Sequence, residues 1–196
     1  MTKMSRNLVF MGTPDFGVPA LMALHAAGYP ISLVVTQPDR PKGRGRKTVP
    51  SPIKSAAEKL GLEVFQPVSL KNPAAVERIS AADPTFIVVI AFGQILPKPI
   101  LDIPRGGAVN VHASLLPKYR GAAPIQWTVI NREKETGVTT MLMDEGLDTG
   151  DSLLVDRTDI RQNDPAATPH DRLSAMGAAL IVKTLRGLET GAIFPA

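Results

Sequence analysis

Short apolar runs alternate along this chain with longer stretches in which apolar residues return at helical spacing, and that alternation predicts the elements. Residues 7–11 (NLVFM) make a first strand, cut by Gly12-Thr13-Pro14 and followed by a helix over 18–27 that Gly28 ends. Residues 31–36 (ISLVVT) make a second strand. Ser51 can cap a helix that carries Pro52 at its first position, runs to Lys59 and is closed by Gly61. A short strand at 63–65 and a helix at 72–81 come next. The run 85–91 (TFIVVIA) is unbroken in its apolarity, which marks a central parallel strand buried on both faces.

Beyond residue 106 the rhythm changes. Residues 108–111 end a buried strand, 124–130 form a helix, and 137–144 and 152–157 are strand-like runs joined by the loop 145–151. Residues 165–187 close the chain as a helix. This order predicts an α/β protein: an open, mostly parallel, Rossmann-like doubly wound sheet with an antiparallel addition near the C-terminus. The first strand-to-helix turn lacks G-x-G-x-x-G, so a dinucleotide is disfavoured.

Composition narrows the chemistry. With 196 residues, 44% hydrophobic and 20% charged, the chain can bury a core as one large domain. It has no cysteine, which excludes disulfides and thiolate metal sites, and its only histidines are His25, His112 and His170, so no metal is expected. Run 86–92 is too short to span a bilayer and 7–11 too short for a signal-peptide core. A soluble cytoplasmic protein with no membrane partner is expected.

The formal net charge is +4, and the segment 39–47 (DRPKGRGRK) by itself holds five bases against one acid, a sum of +4. The remainder is therefore near neutral. Arg40, Lys42, Arg44, Arg46 and Lys47 form a concentrated basic loop at the C-terminal end of the second strand, a footprint for phosphate or nucleic acid. A solvated surface run is the plainer alternative.

Candidate catalytic groups gather at 106–124 (GGAVNVHASLLPKYRGAAP). Asn110 and His112 stand two residues apart in a strand, so an amide and an imidazole share one face at its carboxyl end, where open α/β sheets place ligands. Pro117 and Gly121 make residues 114–121 a shaped loop rather than a continued strand. A buried Asn and a core His satisfied by backbone would look the same. Farther on, Asp148 sits between Gly146 and Gly150, which lets a carboxylate be presented on a tight turn. Ser114 is not read as a nucleophile, because no G-x-S-x-G elbow exposes it.

The order GTPDFG, PDRPKGRGRK, NVHASLLPKYRGAAP and GVTTMLMDEGLDTGD resembles the formyltransferases that use 10-formyltetrahydrofolate, and in particular their tRNA-acting subgroup. The resemblance implies that Asn110, His112 and Asp148 are catalytic and that Ser114, Leu115, Leu116 and Pro117 contact the folate. It implies formyl transfer from 10-formyltetrahydrofolate to the amino group of initiator methionyl-tRNA, with the loop 40–47, Arg44 foremost, near the acceptor end. It also implies that residues 1–196 are the catalytic domain and that the family's smaller C-terminal β-barrel domain is absent from this chain.

The residues suit that chemistry. An amine attacking a formyl carbon passes through a tetrahedral oxyanion, for which the Asn110 amide and a protonated His112 are natural donors. Asp148 would hold His112 charged and, directly or through water, accept the proton leaving the amine. A 10-formyltetrahydrofolate hydrolase, a formyltransferase for another amine and a non-catalytic RNA-binding module are the alternatives. The hydrolase leaves the basic loop unexplained, and the binding module leaves the three polar groups unexplained.

Overall fold

The computed structural model describes residues 6–42, 47–160 and 167–194. Its main sheet has seven strands: β1 (Leu8–Gly12), β2 (Ile31–Val35), β5 (Val64–Phe65), β6 (Phe86–Ile90), β7 (Ala108–His112), β8 (Glu135–Leu142) and β9 (Ser152–Asp159). They lie in the order β5-β2-β1-β6-β7-β8-β9. The first five pair in parallel, while β8 runs antiparallel to both β7 and β9. The doubly wound sheet with an antiparallel addition is thus what the chain adopts.

Period-two side-chain alternation divides the core in two. Leu8, Phe10, Val88, Val109 and Val111 face one side with α1 (Val18–Ala26), α2 (Pro52–Lys59) and α6 (Ala167–Thr190). Val9, Met11, Ile87, Val89 and Ala108 face the other with α3 (Pro73–Ser80) and α4 (Lys98–Leu101). Strands β1 and β6 are buried along their whole length, as an apolar run between two helical layers requires.

Helix boundaries follow local chemistry. Ser51 Oγ accepts from the Lys54 amide at 3.0 Å with Pro52 opening α2, and Asn72 Oδ1 accepts from the Ala74 amide at 3.0 Å with Pro73 opening α3. Helix α5 (Pro124–Ile130) occupies the span its sequence predicts.

Three differences from the sequence reading stand out, and the last two have clear causes. A second, two-stranded sheet, β3 (Arg40–Lys42) against β4 (Lys47–Val49), flanks the basic segment where a plain loop is expected. Helix α4 is one turn between prolines and too short to show a period. Strand β8 ends at Leu142 rather than 144, because the Asp144 carboxylate accepts from the Gly146 amide (2.9 Å) and the Thr149 hydroxyl (2.8 Å) and so starts the turn.

At the edge of the sheet remote from the C-terminal strand ends, Tyr29 is 5% exposed and its hydroxyl donates to Glu189 Oε2 at 3.4 Å. Burial, reinforced by the Glu189 charge, pushes this phenol up to about 12. An unfolded phenol titrates near 10, so the folded state holds the proton longer. Full stability from this group is present below about pH 10 and is lost as pH rises toward about 12. Tyr29→Phe is expected to remove the latest phase of the phenolate absorbance titration and to flatten the alkaline loss of stability over that window.

Candidate active site

Strand β7 is buried throughout, between parallel β6 and antiparallel β8. Asn110 and His112 are 8% and 6% exposed and share the Ala108 face, while Val111 between them packs into the opposite core. Asp148 reaches them from the β8–β9 turn. Its Oδ1 accepts from Asn110 Nδ2 at 3.2 Å, and its Oδ2 accepts from the Gly121 amide at 2.8 Å and lies 3.5 Å from His112 Nδ1. The other ring nitrogen, His112 Nε2, is 2.8 Å from the Tyr119 carbonyl oxygen. Both ring nitrogens therefore face acceptors, an arrangement that the doubly protonated imidazole satisfies at both ends.

The backbone that presents these groups is bent out of ordinary conformations. Asp148 has φ +51°, and a Cβ on Gly150 would run into the Leu142 carbonyl oxygen, one on Gly146 into the Thr149 hydroxyl. Tyr119, whose carbonyl meets His112, has φ +56°, and Gly121 has φ +86°. Strand end, loop and turn are thereby locked around one carboxylate.

These groups line a cavity of about 600 Å³ at the C-terminal edge of the sheet. One wall comes from the α3/α4 side, with Phe92, Leu96 and Met143; the other comes from the α1/α6 side, with Phe16, Ile125 and His170. Among the described residues the lining contains His112, His170, Asp144 and Asp148, but neither lysine nor arginine. An apolar ligand fits the first wall, and a positively charged amine meets no lysine or arginine among the described residues around the cavity.

The remaining predicted residues lie elsewhere. Ser114 is fully buried; its hydroxyl donates to the Lys118 carbonyl at 2.7 Å and its own carbonyl accepts from Thr139 Oγ1 at 2.8 Å. Leu115, Leu116 and Pro117 line a separate cavity of about 280 Å³ together with Glu133 and Arg157. This segment shapes the loop that delivers Tyr119 and Gly121 to the site. Arg40 donates to Gln37 Oε1 at 3.3 Å, and Gln37 Nε2 donates to the Phe92 carbonyl at 3.3 Å, so the root of the basic hairpin is tied to the cavity wall. Lys42 and Lys47 pair across that hairpin in backbone register, and Arg44 and Arg46 lie outside the described residues. At the same root Asp39 is held below the usual carboxylate range by hydrogen bonds from Lys54 (2.6 Å) and Gln66 (2.7 Å).

Sequence reasoning missed His170 and Phe16 as cavity residues. The rarity of histidine here was the one available signal, since nothing in a helical pattern shows which residue of a first turn faces a cleft. Among the described residues, no cluster of three or more His, Cys, Asp or Glu is placed to hold a metal, and no helix is long and apolar enough to cross a membrane.

The class defined by this fold is that of the doubly wound α/β proteins with an antiparallel addition to the sheet. More narrowly, the chain belongs to the formyl transferase family, whose model matches residues 5–185. It is 55% identical over 189 residues to the methionyl-tRNA formyltransferase of Citrifermentans bemidjiense, covering 96% of this chain and 59% of that protein. It is 57% identical over 185 residues to that of Pelotomaculum thermopropionicum, covering 94% and 59%. The chain thus spans about 60% of the length of the curated relatives it matches. Its fold is that of phosphoribosylglycinamide formyltransferase from Bacillus halodurans, with a TM-score of 0.79 at 21% identity over 95% of this chain and 96% of that one.

Gly150→Ala is expected to lower stability by about 1–3 kcal/mol through overpacking against the β8 backbone, and to loosen Asp148 with it. A lowered urea midpoint with an unchanged slope is the expected result.

Proposed function

We propose that this chain transfers a formyl group from 10-formyltetrahydrofolate to the amino group of initiator methionyl-tRNA. The observation that carries the reading is the convergence of Asn110, His112 and Asp148 on a cavity with one apolar wall and no lysine or arginine in its described lining. Support for the acceptor comes from the relatives, named methionyl-tRNA formyltransferases and alike over nearly all of this chain.

In this reading the ring system of the folate lies against Phe92, Leu96 and Met143, on the same side of the sheet as the Asn110 and His112 side chains. Ser114, Leu115, Leu116 and Pro117 serve that donor by fixing the loop beside it. The acceptor amine comes in from the Phe16 side and attacks the formyl carbon. Asn110 Nδ2 and the protonated His112 stabilise the oxyanion, and Asp148 keeps His112 in that form and orientation. After attack, Asp148, directly or through water, takes the proton from the new C–N nitrogen and passes it toward the departing aryl nitrogen. No covalent enzyme intermediate is required.

Arg40, Lys42, Arg44, Arg46 and Lys47 are proposed to meet the phosphates of the tRNA acceptor arm. Residues 1–196 are proposed to be a catalytic domain, in a cytoplasmic protein without a bound metal.

The test is formyl transfer measured with initiator methionyl-tRNA, water and a small amine as competing acceptors. Preferential transfer to the tRNA is expected, falling by about 100- to 1,000-fold in Asp148→Asn, the loss typical of a disabled oxyanion site. Asn tolerates the left-handed turn, but its NH2 turns a donor toward groups the carboxylate accepts from, so the variant is expected to stay folded with a lowered unfolding temperature. Formate release with no tRNA requirement would establish the hydrolase instead.

Binding of the tRNA is expected to weaken steeply with ionic strength. Arg44→Gln should reduce the slope of log K against log salt by roughly one phosphate contact, about 0.7–0.9. An unchanged slope would remove Arg44 from the interface.

A further inference from the structure

The imidazole of His112 is held on both ring nitrogens, and the closer contact is not the one to Asp148. Asp148 Oδ2 stands 3.5 Å from Nδ1, whereas the Tyr119 carbonyl oxygen stands 2.8 Å from Nε2. A carbonyl oxygen can only accept, so Nε2 carries a proton there. The direction of the ring therefore depends on where the Tyr119 peptide lies.

That peptide occupies an unfavourable conformation. Tyr119 has φ +56°, which a residue bearing a Cβ keeps only where its surroundings over-determine it. The backbone is tied on either side, since the Ser114 hydroxyl donates to the Lys118 carbonyl at 2.7 Å and the Gly121 amide to Asp148 Oδ2 at 2.8 Å. A further tie acts through the side chain, whose hydroxyl donates to Glu133 Oε1 at 2.7 Å.

Glu133 is well placed to receive it. Lys118 Nζ lies 3.2 and 3.4 Å from its carboxylate oxygens, and its own amide donates to the Thr128 carbonyl of α5 at 3.1 Å. The Tyr119 hydroxyl, and after it Lys118, hold this carboxyl below the usual carboxylate range, so it remains an acceptor at neutral pH. Asn131 Nδ2 donates to the Tyr119 hydroxyl at 3.0 Å and leaves the hydroxyl proton for Glu133. Glu133 and Tyr119 line the smaller cavity, and neither lines the one that holds Asn110 and His112.

We propose that Glu133 is a positioning residue for His112, acting through the side chain and carbonyl of Tyr119; its effect on rate rests on the formyl-transfer reading above. With the hydroxyl bond made, Tyr119 presents its carbonyl to Nε2 and the ring is fixed between Tyr119 and Asp148. Without that bond the strained peptide relaxes away and Nε2 loses its 2.8 Å partner. The ring keeps only the longer contact to Asp148 and turns about its Cβ–Cγ bond. Substrate binding changes little, because neither Glu133 nor the Tyr119 hydroxyl lines the larger cavity.

The experiment pairs steady-state formyl transfer with proton NMR of the histidine ring N–H groups. It uses Tyr119→Phe, Glu133→Ala, their double variant and Glu133→Gln. The chain has three histidines, and His112→Asn assigns the Nε2 proton by its loss. In the unsubstituted chain that proton is expected downfield and slow to exchange. Tyr119→Phe and Glu133→Ala should each lose the signal with both KM values little changed. Each should lower kcat by about 10-fold, within the roughly 100-fold that a displacement of about 1 Å can cost. The double variant should be no worse than either single one, because all three break the same link. Glu133→Gln keeps an acceptor for the hydroxyl and should keep the signal and most of the rate. A merely structural role would lower the urea midpoint and leave the His112 signal and kcat of the folded protein unchanged, and that outcome overturns the proposal. Additive losses in the double variant overturn it as well. If both single variants lose the signal while the unsubstituted chain transfers no formyl group, the formyl-transfer reading falls and the placement of His112 by Glu133 stands.

Discussion

A carboxylate surrounded by donors is useful only if the backbone carrying it cannot drift, and Asp148 meets both conditions. Its oxygens serve the side chains of Asn110 and His112 on β7 and the Gly121 amide in the loop after that strand. It thereby closes a ring through strand end, loop and hairpin turn. The Asn110 and His112 side chains are buried, and an unpaired buried polar group costs about 1–3 kcal/mol. The three segments consequently hold one another, and the cavity keeps its shape because the carboxylate is where it is. The turn repeats the device on a smaller scale, with Asp144 gathering the Gly146 amide and the Thr149 hydroxyl so that Asp148 is aimed inward.

That arrangement is sustained by strain tolerated around the cavity. Of the six non-glycine residues at positive φ among the described residues, Ala91, Ala123 and Asp148 line the cavity and Tyr119 touches His112. Each such residue costs roughly 1–2 kcal/mol relative to a relaxed backbone. The opposing resource is the sheet itself. Strands β1, β6 and β7 are buried along their full length between two helical layers, so the rigid part of the molecule lies directly beneath its strained part.

The sequence disclosed most of this, and unevenly, for physical reasons. Strands buried on both faces write themselves as unbroken apolar runs, so β1, β2 and β6 were legible to within a residue or two. Caps and prolines made α2, α3 and α5 equally plain. Asn110 and His112 were legible as a pair because strand geometry fixes what i and i+2 share, and Asp148 because its flanking glycines advertise a special turn. What stayed hidden depends on how distant segments meet. The four residues of α4 carry no period, and the Leu115–Pro117 segment gives no local sign that it turns toward a second cavity. His170 lies 22 residues beyond Asp148 in an ordinary helical pattern. Only the packing of α6 against the turn at Phe16 brings it into the cavity, as the buried Ser174 hydroxyl, bonded to the Phe16 carbonyl at 2.7 Å, makes explicit.

The division of the cavity between the two faces of the sheet bears on how a transfer reaction can run there. The Asn110 and His112 side chains point to the face that carries Phe92 and Leu96, while Phe16 and His170 belong to the opposite face. A carbonyl oxygen seated by the first pair would present its carbon toward the second pair, across the edge of the sheet. Addition to a carbonyl requires the nucleophile to come in over the carbonyl plane while the oxygen stays hydrogen-bonded, and a pleated edge with unlike walls enforces that separation. Donor and acceptor then never compete for one surface. In the proposed reaction the apolar wall would suit a flat ring system and the Phe16 wall the amine, with the strand end between them common to both. A single-walled pocket would have to compromise between the two ligands of the proposed reaction, whereas the end of β7, buried on both faces, could serve each from its own side.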